Sequence, residues 1–269
     1  MTSTLDDLAR NLAIVRVQLR LSAILAMQYR WELFADAFFS LFWTGTALLP
    51  LWLVFDERPR IAGYTFPEAL VVLGFFTVLQ GVLEGAIHPS LGTVVEHVRN
   101  GTLDFVLLKP ADAQLLVSTA RFAPFRLVNV LAGIALVVRA FVLLGRSPAA
   151  TDVLACLLLF SSAVSILYGL WILTVSAAFY VGRIDNLRYL FASVFDAARW
   201  PATVYRGALG FLFTFVIPLA LMTSYPAWAL LGLLEPGRIT IAIVFGLAFS
   251  LGSRLVFRRA VGRYTSASS

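Results

Sequence analysis

The sequence predicts an all-α integral membrane protein with six transmembrane helices. Three observations predict it. The 269 residues are 60% hydrophobic and only 13% charged, whereas soluble domains carry about 25% charged residues. The mean hydropathy is +0.86. The apolar residues are gathered into long runs separated by short polar turns, and a helix needs roughly 20 apolar residues to cross a bilayer. The chain is read as one domain over 1–269. Three of its segments, 1–30, 88–122 and 201–236, are set apart from the simple spans.

Residues 1–30 come first. Leu5, Leu8, Leu12, Val15 and Leu19 recur at three- and four-residue steps, while Arg16 and Arg20 lie one turn apart on another face. Arginines are costly in hydrocarbon, so this amphipathic helix is expected to lie in the interface. The same arginines break the apolar run that a signal peptide would need. The first span comes next, at about 31–55, with Glu32 and Asp36 near its start. Asp56, Glu57, Arg58 and Arg60 make a polar turn, and the second span is at about 66–87. Residues 88–122 form the longest polar segment. The third span, about 124–144, and the fourth, about 153–181, are joined by GRSPAATD.

Residues 182–238 admit two readings. Either the apolar stretch at about 207–224 is the fifth span, or the amphipathic stretch at about 184–200 crosses and the part broken by Pro218 and Pro226 is a re-entrant hairpin. The last span, about 239–257, runs into Arg254, Arg258, Arg259 and Arg263. With both termini in the cytoplasm, basic residues gather on the inner side under either reading, as the positive-inside rule requires.

The net charge of +6 comes almost wholly from arginine, since Lys109 is the single lysine. In such a chain it points to anionic lipid at the bilayer surface rather than to nucleic acid. No G-x-x-x-x-G-K-[ST] and no G-x-G-x-x-G occurs, so the chain shows no nucleotide site, and no catalytic motif is read. Cys156 stands alone in an apolar run, and His88 and His97 are the only histidines. No metal or other cofactor is expected.

Glu84 and His88 are four apart, which reads either as a relay pair or as polar residues closing the span at the interface. Asp196 and Arg199 are three apart and read either as the lining of a polar path or as an interfacial pair. The stretch EHVRNGTLDFVLLKP, 96–110, has more shape. An amphipathic helix over 90–99 ends at Asn100-Gly101, residues that tolerate a left-handed cap. Thr102 or Asp104 is placed to cap the next helical turn. The apolar quartet FVLL then stops at Pro110. The form expected is a short helix parallel to the membrane on its inner face, joining spans two and three.

VRNGTLDFVLLKP after the second span, the block RWPATVYRGALGFLFTFVIPLALMTSYPAWALLG over 199–232, and the closing GRYTSAS carry a resemblance. Together with the six-span layout they resemble the membrane subunits of ATP-binding-cassette (ABC) exporters of the type-2 permease class. The resemblance implies an exporter subunit in the plasma membrane of a prokaryote. It implies a separate ATPase subunit that binds ATP and Mg, and a second permease copy or related permease as dimer partner. Residues 90–100 would be the coupling helix, with Glu96, His97 and Arg99 meeting the ATPase. Gly101, Thr102, Asp104 and Pro110 would fix the turn after it. The 201–232 block would be outer re-entrant helices, which favours a short span at about 184–200. Asp196, Arg199, Pro201 and Tyr205 are the candidates for the path itself. The spans show no concentrated charge, so the expected cargo is hydrophobic or amphipathic. Two other classes stay open. A membrane-embedded lipid-linked transferase would draw on Glu84, His88, His97 and Asp104, and a scaffold would transport nothing.

Overall fold

The computed structural model describes residues 2–28, 30–181 and 185–264. Helix α1 is Thr2–Gln28 and α2 is Arg30–Glu57. Helix α3, Phe66–Val82, passes through a π-helical turn, Leu83–Ile87, into α4, His88–Asn100. Two short helices come after it, α5 (Asp104–Leu107) and α6 (Ala113–Ser118). Helix α7 is Leu127–Leu144 and α8 is Ala150–Val181. Helix α9 is Asp185–Asp196, α10 is Gly207–Phe211, α11 is Tyr225–Leu230 and α12 is Pro236–Val261. Among the described residues, five helices are long and apolar enough to cross a membrane: Phe34–Glu57, Phe66–Asn100, Pro124–Leu144, Ala150–Tyr180 and Gly237–Val261. The pair Gly207–Val216 and Ala220–Leu230 passes the same test jointly, with a 68° bend between its halves.

Helix α3 is the centre. Its start is fixed by Thr65 and Glu68: the Glu68 carboxylate accepts from the Thr65 N–H at 2.8 Å. Its residues are apolar all round and nearly all buried, as expected of a helix with neighbours on every side. Against it runs α7, antiparallel, with backbones in near contact at Gly74, Gly81 and Gly133. Lipid tails give no hydrophobic drive between helices, so close approach through small residues is the available source of affinity.

Helices α8 and α12 pack side by side and run in the same direction. Ser162 Oγ donates to Ala242 O at 2.5 Å, Gly169 abuts Phe249, and the rings of Phe179 and Phe257 are 6.2 Å apart. A parallel pair requires the chain to return across the bundle between them. Helix α9 and the 3-10 turn Ala197–Arg199 make that return. By Thr203 the chain has reached the loop before α3, where Thr203 Oγ1 donates to Ala62 O at 2.9 Å. At Leu231 it is still at that end, where the carbonyl accepts from Arg146 Nη2 at 3.0 Å. Residues 203–231 therefore leave one end of the bundle and come back to it. Of the two sequence readings, the contacts match a crossing at 184–200, of which residue 184 itself lies outside the described residues.

One expectation changes. The separate helix over 90–99 is instead the far end of a single 35-residue rod, Phe66–Asn100. At about 1.5 Å per residue the rod is ~52 Å long, against ~30 Å of hydrocarbon, so α4 projects beyond the membrane rather than lying along it. On α1, Leu12 is 62% exposed and Leu19 45%, while Gln18 and Ser22 bond to the body of the protein. In a bilayer lipid solvates the leucines, and the polar residues seek protein.

Candidate functional site

Pro89 sets the geometry of the projecting rod. It has no N–H for the carbonyl of Gly85, and in a regular helix its ring would strike that carbonyl. The π-helical turn immediately before it makes room. The Gly85 carbonyl is then taken by the Ala123 N–H at 2.8 Å. One turn away, Arg126 Nη1 meets Glu84 Oε2 at 2.6 Å. Ser90 Oγ donates to Arg121 O and accepts from the Arg121 N–H. The segment 121–126 is thus fastened along the wide turn.

The tip of the rod ends as the sequence indicates. Gly101 adopts φ 67°, the left-handed cap. The Thr102 N–H donates to His97 O at 2.9 Å, and the Gly101 N–H to Val98 O at 3.4 Å, the two bonds of a Schellman motif. Thr102 does not cap α5. Its Oγ1 lies 2.7 Å from His97 Nδ1, closing the turn behind it, and the N-cap of α5 is Leu103, which offers no side-chain cap. Glu96, Arg99, Lys109 and Pro110 are exposed, and His97, Gly101, Thr102 and Asp104 are half-buried. Between these groups stand two side chains that residue chemistry alone did not single out as a surface. Phe105 is 71% exposed and Leu108 81%. The available signal was an apolar quartet on a helix of one turn, too short to bury all four. Large exposed apolar side chains ringed by polar ones mark interaction sites.

The rest of 101–122 is no slack linker. Asp112 caps α6, accepting from the Leu115 N–H at 3.1 Å, and its other oxygen binds Arg254 of α12 at 2.9 Å. Tyr168 of α8 is bonded by Gln114 at 3.0 Å and Ser118 at 2.6 Å. Thr119 and Phe122 hold Gln18 and Ser22 of α1. The segment therefore touches α1, α4, α8 and α12.

A cavity of about 540 Å³ opens between α2, α3, α7 and the end of α9. The rod contributes Thr77, Gln80 and Glu84, and α7 contributes Asn129, with Arg126 just before it. Helix α2 contributes Asp36, Ser40 and Thr44, and Ser40 donates to Asn129 Oδ1. Asp196 and Arg199 close it, 3.1 Å apart, with the Arg199 guanidinium 5.5 Å from the Phe76 ring centre. Five charged side chains thus converge within the helical bundle, where the sequence reading expected no concentrated charge. No local pattern announces the cluster, because its members come from four separate segments.

Of the four path candidates, Asp196 and Arg199 line this cavity. Pro201 is buried, and Tyr205 points elsewhere, donating to Ala197 O at 2.8 Å with its ring against Phe213. Glu84 is engaged by Arg126 and by Gln80, at 3.1 Å, while the His88 ring lies 5.2 Å from that of Trp171. The wide turn between Glu84 and His88 alters the four-residue spacing that would align them. At the opposite end of the bundle Tyr64 receives the Trp228 indole N–H. Burial outweighs that bond and pushes the Tyr64 phenol up to about 12, so it stays neutral at any physiological pH.

A helical chain with several helices long and apolar enough to cross a membrane, and a charged cavity among them, has the build of a polytopic membrane protein. The chain belongs to the ABC-2 family transporter proteins, whose family pattern matches residues 41–268. It is accordingly a multi-pass membrane permease of a family that works with ABC ATPases. No curated protein and no solved structure matches the chain.

Proposed function

We propose that the chain is the transmembrane subunit of an ABC exporter, moving an amphipathic cargo with ATP hydrolysed on a separate subunit. The observation that carries this reading is the tip of the rod: Phe105 and Leu108 exposed beside Glu96 and Arg99, on a segment fastened to four helices. The ATPase seats on this tip, with ATP and Mg on the ATPase itself. Both termini face the cytoplasm of a prokaryotic cell, α1 lies in the inner interface, residues 203–231 re-enter from the outer side, and a second permease completes the path. Closure of the ATPase pair pushes α4. The push travels along the rod to the π-helical turn and shifts Glu84 and Arg126 at the cavity, switching its access from one side to the other. Such switching uses rigid elements with two discrete packings.

The test is purification with the candidate ATPase, followed by transport and ATPase assays. Phe105→Glu with Leu108→Glu is expected to lower ATPase retention at least tenfold, because exposed apolar anchors dominate such interfaces. Arg99→Glu, or Gly101→Val, which forces a β-branched residue into left-handed backbone, is expected to leave membrane insertion intact while uncoupling ATP hydrolysis from transport. Normal transport by both of these variants would sink the assignment.

A further inference from the structure

We propose that the cavity between α2, α3, α7 and α9 takes the head of an amphipathic organic cation, with its charge on Asp36 and its body against Phe39 and Trp43. The proposal rests on the transport reading for its meaning and adds the chemical class of the cargo.

The charges decide the sign. Arg126 is spent on Glu84 at 2.6 Å and Arg199 on Asp196 at 3.1 Å. Asp36 has no bonded partner among the described residues, so the described lining carries one carboxylate in excess. An anionic guest would have to break one of two formed ion pairs and face Asp36 as well. A cationic guest supplies the counterion that is missing beside a half-buried carboxylate.

The walls fit the same guest. Asp36, Phe39 and Trp43 fall at three- and four-residue steps, one stripe of α2 facing the space. Across from it, the buried Phe76 ring already holds the Arg199 guanidinium over its face, so the aromatic surface open to a guest is that of Phe39 and Trp43. Thr44, Thr77 and Gln80 supply hydroxyl and amide groups for a polar head. The volume is within the range of about 300–1,000 Å³ of small-molecule sites. The wall toward lipid is α2, of whose membrane window only 6% is buried. An apolar tail can therefore remain in the bilayer while the head enters.

The test uses the full chain in phosphatidylcholine nanodiscs and two probes of matched shape, tetraphenylphosphonium and tetraphenylborate. Saturable binding of the cation alone is expected. Asp36→Asn should weaken it at least tenfold, Thr44→Trp should abolish it by filling the space, and Asp56→Asn, at the exposed far end of α2, should leave it unchanged. Equal uptake of both ions, preference for the borate, or wild-type binding by Asp36→Asn overturns the proposal. The two readings fail separately. A chain that couples to its ATPase but binds no cation loses only this proposal, whereas a chain that binds cation but joins no ATPase loses the exporter reading.

Discussion

Gly133→Leu is expected to leave little folded protein in the membrane. A Cβ at position 133 would lie 2.6 Å from Gly74 O and 2.7 Å from Val78 N, both backbone atoms of α3. A clash with a flexible side chain is relieved by a rotamer change, but one with backbone requires two helices to separate. Overpacking a good core costs about 1–3 kcal/mol, and with no collapsible neighbour this site belongs at the upper end or beyond. Against a total of about 5–15 kcal/mol the loss is large, and it falls on the contact that holds the central helix. Gly252→Leu is the control, because nothing lies within 4 Å of a Cβ there. The measurement is the yield of monodisperse protein after mild detergent extraction, with thermal unfolding. Equal yields and melting temperatures for the two variants would show that the α3–α7 contact is not close.

Arg126→Gln is expected to lower transport by tenfold or more, with a smaller cost in stability. It strips the partner from Glu84, whose pair is about three-quarters shielded from solvent. Removing one member of a fully buried pair costs about 3–5 kcal/mol, because the other charge is left without compensation. Here the cavity admits water, so about 1–3 kcal/mol is expected. The double variant Glu84→Gln with Arg126→Gln should regain most of the stability, since no bare charge remains, yet should not regain transport if the pair carries the movement of the rod to the cavity. A thermodynamic cycle over the two singles and the double separates the two effects. Full transport by the double variant would show that the pair serves only packing.

Much of this architecture is legible in the sequence, and the illegible parts have physical causes. Apolar runs announce spans because a bilayer rewards length and composition alone. Asn100-Gly101 announces a helix end because the required backbone is local. The Glu84–Arg126 pair is different, joining residues brought together only by the antiparallel packing of α3 on α7. The excess charge at Asp36 becomes visible only when Asp196 and Arg199 are seen to satisfy each other. The continuation of the rod through Pro89 was hidden for another reason. Proline normally stops a helix, and only the wide turn with the Ala123 N–H on Gly85 O lets this one run on. The exposure of Leu12 and Leu19 on α1 is set by the solvent: leucines that would face inward in water face outward in lipid.

The loose seating of α2 has a consequence for how the protein is made. Its membrane window is 6% buried even in the finished fold, and its hydrogen bond to the bundle, from Ser40 to Asn129, reaches 89 residues along the chain. When α2 emerges from the ribosome, Asn129 has yet to be synthesised. At about 5–20 residues per second that interval is on the order of 5–20 s. During it α2 has only lipid for company, and its apolar surface suits it to wait there. A helix inserted before its partner exists is thus among the last to be docked, and a variant that made α2 more polar would fail at the translocon before the fold could rescue it.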